Sequence, residues 1–173
     1  LRGYLIPYQG FEPKVTIIIP VFNKERFLTD CLDSVCRQTF SSIEVLCIDD
    51  CSTDGSQQIL QQYARSDRRI AVFQSPCNIG PGPARNLGIE RASAPFVMFL
   101  DADDLLPPDA VEILYGLAVQ TQSDLVRGSL GYCSQGVAPH VNECQRMVNR
   151  NRFRFVDEPR LWMPYFFTTF IYS

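Results

Sequence analysis

At 173 residues, 46% of them hydrophobic and 20% charged, the chain is long enough to bury one well-formed core and too apolar to be a disordered segment. A formal net charge of -3 argues against a polyanionic partner such as nucleic acid. No apolar run is long enough to span a bilayer, no signal-peptide pattern is present, and the first residue is Leu1, so the expectation is a piece cut from something longer.

In chain order, Lys14–Pro20 (KVTIIIP) is a continuous apolar, β-branched run, the pattern of a strand buried on both faces. Asn23 is the expected cap of a helix in which Phe27, Leu28, Cys31, Leu32 and Val35 recur at helical spacing. Ile43–Ile48 is a second buried strand ending in Asp49-Asp50, with Ser52 or Asp54 expected to cap a helix carrying Ile59, Leu60 and Tyr63 on one face. Ile70–Phe73 is a short third strand. A Gly- and Pro-rich loop from Asn78 to Pro83 leads into a helix spanning about Ala84–Arg91. Phe96–Leu100 is the fourth strand, terminating at Asp101, and Pro107-Pro108 opens a helix through Val111, Leu114 and Leu117. Asp124–Leu130 is a candidate fifth strand. Past Gly131 the pattern loosens, and the aromatics from Phe153 to Phe170 want a surface to bury against. Strands alternating with helices, each strand a solid apolar run, specify an open, mostly parallel Rossmann-like α/β sheet with helices on both faces.

The seven cysteines are odd in number and form no C-x-x-C pair. Cys31 and Cys47 sit at apolar positions, and reduced thiols in a cytosolic protein fit better than a disulfide framework or a zinc site. Both lysines, Lys14 and Lys24, lie near the start, whereas Arg146, Arg150, Arg152, Arg154 and Arg160 make the last part basic. That stretch is either a solvated face or a site for an anionic acceptor or membrane headgroups.

In an open parallel sheet, ligands bind beyond the carboxyl ends of the strands, near the point where strand order reverses. The second strand delivers Asp49 and Asp50 to that edge, and the fourth delivers Asp101, Asp103 and Asp104. Three carboxylates within four residues repel one another; a divalent cation such as Mg²⁺ or Mn²⁺ resolves the conflict by taking one or two of them plus substrate phosphates. The competing reading is an acidic turn in which Asp104 caps the following helix, leaving Asp101 and Asp103 surplus. Asp49 is expected to accept backbone hydrogen bonds within the fold, and Asp50 a base N–H at the crevice. Gly80-Pro81-Gly82-Pro83-Ala84-Arg85 is not a dinucleotide fingerprint, because it follows the third strand and Arg85 replaces the last glycine. It remains a rigid turn that sets a guanidinium beside a helix N-terminus, where it either binds an anion or base or pairs with a carboxylate of the acidic cluster. No catalytic triad can be built around the single His140.

The ordered segments VTIIIPVFNKERFL, IEVLCIDDCSTDGS, NIGPGPARNLGI and FVMFLDADD, from about Lys14 to Arg127, resemble the family 2 glycosyltransferases of the GT-A fold. The resemblance implies an inverting transfer of a sugar from a nucleoside diphosphate, usually UDP, to the hydroxyl of a carbohydrate or glycolipid acceptor in polysaccharide or glycoconjugate synthesis, with Mn²⁺ or Mg²⁺. Carried over, Pro20, Val21 and Asn23 line the base pocket and Glu25 lies near the nucleotide. Asp50 holds the base, and Arg85 stands beside base and diphosphate. Asp101, next to Ala102, is near ribose or metal, Asp103 is the main metal ligand, and Asp104 is the accompanying acid. The implied organisation is an N-terminal extension over 1–13, a nucleotide-sugar-binding core over 14–130 and the start of an acceptor-side region over 131–173. The family's base lies well downstream of the D-x-D; Asp157, beside Glu158, is the candidate present, and the expectation is a chain truncated before the usual base, beyond Ser173. A cytoplasmic location, at the inner face of the membrane, with peripheral membrane association, goes with this reading.

Two rivals remain. FVMFLDADDLL also fits the opening motif of haloacid-dehalogenase-like phosphatases, but those need a downstream lysine, none follows Lys24, and the motif arrives on the fourth strand rather than the first. The other is a non-catalytic nucleotide-sugar-binding module.

Overall fold

A computed structural model describes residues 12–128 and 170–172. Ten elements follow in order: β1 (Val15–Val21), α1 (Glu25–Cys36), β2 (Ile43–Asp49), α2 (Ser56–Ser66), β3 (Ile70–Gln74), α3 (Pro81–Ile89), β4 (Phe96–Phe99), α4 (Ala110–Thr121), β5 (Leu125–Arg127) and β6 (Phe170–Tyr172). The sheet order is β3-β2-β1-β4-β6-β5. β1 lies at its heart, parallel to β2 from Val15↔Ile43 to Val21↔Asp49 and parallel to β4 from Val15↔Phe96 to Ile18↔Phe99. β3 extends the parallel set beyond β2, and β6 runs antiparallel to both β4 and β5.

The alternation of side chains along β1 divides the core in two. Val15, Ile17, Ile19 and Val21 point to the face covered by Leu28, Cys31, Leu32 and Val35 of α1, Leu60 of α2, and Val111 and Leu114 of α4. Ile18, with Leu46 and Ile48 of β2, points to the opposite face, against Ala84 and Leu87 of α3. A strand with apolar partners on both faces has no polar side to show, which is why β1 is β-branched at every position but Pro20. α3 sits close because Gly88 has no side chain; a Cβ there would meet Ile18 Cγ2 at 2.4 Å.

Four boundaries differ from expectation. Asn23 does not cap α1: it adopts φ 52°, and the N-cap position is Lys24. α2 likewise starts from Gly55 without a side-chain bond from the cap residue. α3 begins at Pro81, earlier than Ala84, because proline lacks only an N–H that the first helical turn leaves unbonded, and Gly80 supplies the φ of 88° that turns the chain into it. α4 begins at Ala110, after the two prolines rather than on them. β6 was not foreseen as a strand; three residues from the aromatic tail pair with β4 and β5 through their backbones.

Candidate functional site

Strand order turns at β1, with β2 on one side and β4 on the other, so the crevice opens beyond the carboxyl ends of these three strands. The sequence leaves β1 at Phe22-Asn23-Lys24, β2 at Asp50-Cys51-Ser52 and β4 at Asp101-Ala102-Asp103-Asp104.

The first two of these connections cap each other. Ser52 Oγ accepts from Asn23 N (3.1 Å), Ser56 Oγ from Lys24 N (2.9 Å) and Asp54 Oδ2 from Glu25 N (3.0 Å). In the other direction, Asn23 Oδ1 accepts from Thr53 N (2.8 Å) and Glu25 Oε2 from Gly55 N (3.0 Å), while Asp54 Oδ1 takes Ser56 N within its own loop (3.0 Å). The first N–H of α1 and the cap N–H of α2 are thus satisfied across the gap between units, whereas the first N–H of α2 is bonded by Asp54 within its own loop. Partial burial pushes the Asp54 carboxyl up, but the bonds from Ser56, Glu25 and its own backbone outweigh this and hold it below the usual carboxylate range.

Asp49 and Asp50 are both buried at the end of β2. Asp49 Oδ1 accepts from Ser52 N at 3.0 Å, as expected for an inward carboxylate, which bridges over Cys51 in its left-handed conformation (φ 63°). Asp50 is 3% exposed. Its Oδ1 accepts from Ser75 Oγ and Ile79 N, both at 2.8 Å, and its Oδ2 from Gly80 N at 2.8 Å. Asp50 therefore secures the loop that feeds α3, placing a carboxylate at that helix's N-terminus.

The turn after β4 has a different electrostatic arrangement. Arg85, at the midpoint of α3 rather than beside its N-terminus because the helix begins at Pro81, donates from Nη2 to Asp101 Oδ1 at 2.5 Å, both groups being about four-fifths buried (18% and 19% exposed). Lys24 Nζ donates to Asp103 Oδ2 at 2.6 Å across the mouth of the crevice. Two carboxylates thus have one cation each. Asp104, whose N–H donates to Asp101 O at 2.9 Å, has no such close partner among the described residues, and desolvation, reinforced by Asp101 and Asp103 against the opposing pull of Lys24, raises its pKa. Beneath the turn, Cys31 Sγ donates to Asp101 O at 3.6 Å; burial first, then Cys47 and the acidic residues, push this thiol well above its ordinary value, so it is a neutral floor at neutral pH.

No group of three or more His, Cys, Asp or Glu side chains converges into a metal-ligating set among the described residues. The described residues alone do not satisfy an ion that needs three protein ligands. Mg²⁺ or Mn²⁺, bound by one or two carboxylates and otherwise by phosphate and water oxygens, does fit Asp101 and Asp103.

Of the residues anticipated from sequence, Asn23, Glu25, Asp50, Arg85, Asp101 and Asp103 all fall at this edge. Val21 is fully buried with its side chain in the core, and its carbonyl is taken by Asp50 N at 2.7 Å. Ala102 is 1% exposed and packs inward. Pro20 is partly buried, within β1. Glu25 is committed to Gly55 N. Asp157, Glu158, His140 and the arginine-rich stretch lie outside the described residues. Two groups were missed: Phe22, an exposed aromatic one residue past β1, and Lys24. Lys24 could have been suspected as one of only two lysines, placed where the first strand reaches the crevice.

An open Rossmann-like sheet with an acidic turn after β4 and an arginine opposite it defines the GT-A class of nucleotide-sugar-binding folds. The chain matches the sequence signature of glycosyl transferase family 2 over residues 16–170, and it belongs to that family. It is 39% identical over 118 residues to glycosyltransferase GlyA of Streptococcus pneumoniae, covering 68% of this chain and 17% of that protein. It is 38% identical over 128 residues to poly(ribitol-phosphate) beta-glucosyltransferase of Bacillus spizizenii, covering 72% and 20%. Among solved structures, TarS 1-349 of S. aureus in complex with UDP aligns with a TM-score of 0.66 and 30% identity over 73% of this chain and 38% of that one. The mannosyltransferase PcManGT of Pyrobaculum calidifontis, solved with GDP-Man and Mn²⁺, shares the fold at a TM-score of 0.64 and 22% identity, over 76% and 39%. The chain thus spans about a fifth of the length of these two curated relatives.

Proposed function

We propose that this chain is the donor-binding part of an inverting glycosyltransferase that moves a sugar from a nucleoside diphosphate, a UDP-sugar, to an acceptor hydroxyl of a carbohydrate or glycolipid in polysaccharide or glycoconjugate synthesis. The observation that carries the proposal is the pair of cation–carboxylate contacts, Arg85–Asp101 and Lys24–Asp103, both made to the turn that follows β4. Two cations and a carboxylate pair at one crevice suit a diphosphate together with Mn²⁺ or Mg²⁺. The UDP complex of the TarS relative supports the choice of uridine donor.

In this reading residues 14–130 form the donor core, with 1–13 an extension and 131–173 the start of the acceptor side. Phe22 and Pro20 offer faces to the base, and Asp50, while holding the α3 loop, offers its remaining lone pair to a base N–H. Arg85 stands beside the diphosphate, and Asp103, with Asp101, would hold the metal, which when bound neutralises charge developing on the leaving diphosphate. The acceptor is deprotonated by a carboxylate downstream, for which Asp157 is the candidate in this chain. A cytoplasmic setting fits the free thiols of all five described cysteines, and among the described residues no helix is long and apolar enough to cross a membrane.

The test is calorimetric titration of UDP, GDP and dTDP with and without Mn²⁺. Tight Mn²⁺-dependent UDP binding that disappears in Asp103→Ala is the expected result. Phosphatase turnover abolished by Asp101→Asn, with no nucleotide preference, would overturn the proposal.

A further inference from the structure

Lys24 is half-exposed, yet its backbone is among the best fixed points of the crevice. Its N–H donates to Ser56 Oγ and its carbonyl accepts from Phe27 N and Leu28 N, both at 2.9 Å, while Asn23 and Glu25 on either side are tied to the β2–α2 connection. Only the side chain is left to move. Its ammonium rests on Asp103 at 2.6 Å, joining segments 79 residues apart, with the two side chains 34% and 42% exposed. Neither group is desolvated enough for this contact to be a strong structural bond, and the unbranched side chain can exchange partners without moving the loop.

We infer that Lys24 is a placeholder cation: it neutralises Asp103 before donor arrives, yields that carboxylate to the divalent ion, and then turns to the donor diphosphate. The inference rests on the metal-and-diphosphate reading of the crevice. It assigns to one side chain two effects of opposite sign. Against metal alone Lys24 competes, because ion and ammonium claim the same oxygen. Against metal plus nucleotide it cooperates, because the displaced ammonium gains a dianionic partner.

The opposition makes the test. Mn²⁺ is titrated into the ligand-free protein and followed by the electron paramagnetic resonance signal of free Mn²⁺. Removing the competing charge in Lys24→Met is expected to tighten Mn²⁺ about two- to fivefold, the range a half-exposed ion pair supplies. The same variant should bind UDP about tenfold more weakly at saturating Mn²⁺, as expected for loss of one charge-assisted hydrogen bond. Lys24→Arg, which keeps the charge, should hold Mn²⁺ affinity within twofold of the parent, and matching melting temperatures establish that the variants fold. Unchanged or weakened Mn²⁺ binding in Lys24→Met, where the parent binds Mn²⁺ and UDP and Asp103→Ala does not, overturns the placeholder role alone. Absence of Asp103-dependent Mn²⁺ binding in the parent overturns the reading of the site and the inference with it.

Discussion

Replacing Gly88 by alanine tests how tightly α3, and with it Arg85, is set against the sheet. Helix propensity alone favours alanine over glycine by about 1 kcal/mol, so a purely local argument expects a more stable protein. Packing predicts the reverse. The new Cβ would lie 2.4 Å from Ile18 Cγ2, 3.0 Å from its Cδ1 and 3.1 Å from its Cγ1, and Ile18 is fully buried in the central strand. Carbon atoms prefer about 3.5–4 Å, so helix and strand must part by roughly 1 Å or Ile18 must leave its rotamer. Overpacking of this kind costs about 1–3 kcal/mol; contact with three atoms of an immobile side chain puts it near the upper end, leaving a net loss of about 2 kcal/mol after the propensity gain. For a chain of this size that lowers the melting temperature by about 4–8 °C. Urea and thermal unfolding of Gly88→Ala, Ile18→Val and the double variant measure it. Ile18→Val alone should cost about 1 kcal/mol, and the double variant should recover part of the alanine penalty. An alanine variant as stable as the parent, or a cycle with no coupling, would refute the steric argument.

Three further outcomes follow from the site. Asp54→Ala removes acceptors from the first N–H of both α1 and α2 and should cost about 1–2 kcal/mol in urea unfolding. Because the folded Asp54 carboxyl lies below its ordinary value, its contribution is present above the unfolded pKa of about 4 and is lost as pH falls through the lower folded value; the variant's stability should therefore fall less steeply than the parent's below about pH 4. Cys51→Gly relieves a left-handed side-chain-bearing residue (φ 63°) and should stabilise by about 0.5–1 kcal/mol after the extra chain entropy of glycine is subtracted, read as an upward shift in the urea midpoint. Arg85→Ala should weaken UDP binding about tenfold by calorimetry, with Arg85→Lys restoring only part, since the lysine keeps the charge but not the planar fork.

The strands and helices that carry the crevice were legible because their information is local. β1 and β2 announce themselves as mainly apolar runs rich in β-branched residues, and α1 by its stripe of Phe27, Leu28, Cys31, Leu32 and Val35, of which all but the exposed Phe27 are buried. Asp101 and Arg85 could be placed at one edge from element order alone, and their mutual pairing was one of two readings open for the arginine. What failed was whatever depends on contact between distant segments. Asn23 and Ser52 have cap-forming chemistry but spend it on the neighbouring unit, and Asp54 divides its two oxygens between the first N–H of its own helix and that of α1, a choice that no window of sequence contains. Lys24 escaped notice for the same reason: its partner is 79 residues away. β6 was obscured by composition, because a Phe-Ile-Tyr triplet in an aromatic-rich stretch carries no period of its own.

The position of β6 has a consequence for how the protein is made. It stands between β4 and β5, and among the described residues β5 has no other strand neighbour. A ribosome delivers β1 to β4 in an order that lets each parallel strand dock beside one already present, so the donor crevice can assemble while synthesis continues. β5, by contrast, packs against α4 and, among the described residues, meets no strand partner until residues 170–172 have left the exit tunnel and slotted in beside it. The edge of the sheet farthest from β3 is therefore finished by a late arrival, and any pause in translation before that point leaves β4 as an open edge available to a neighbouring chain.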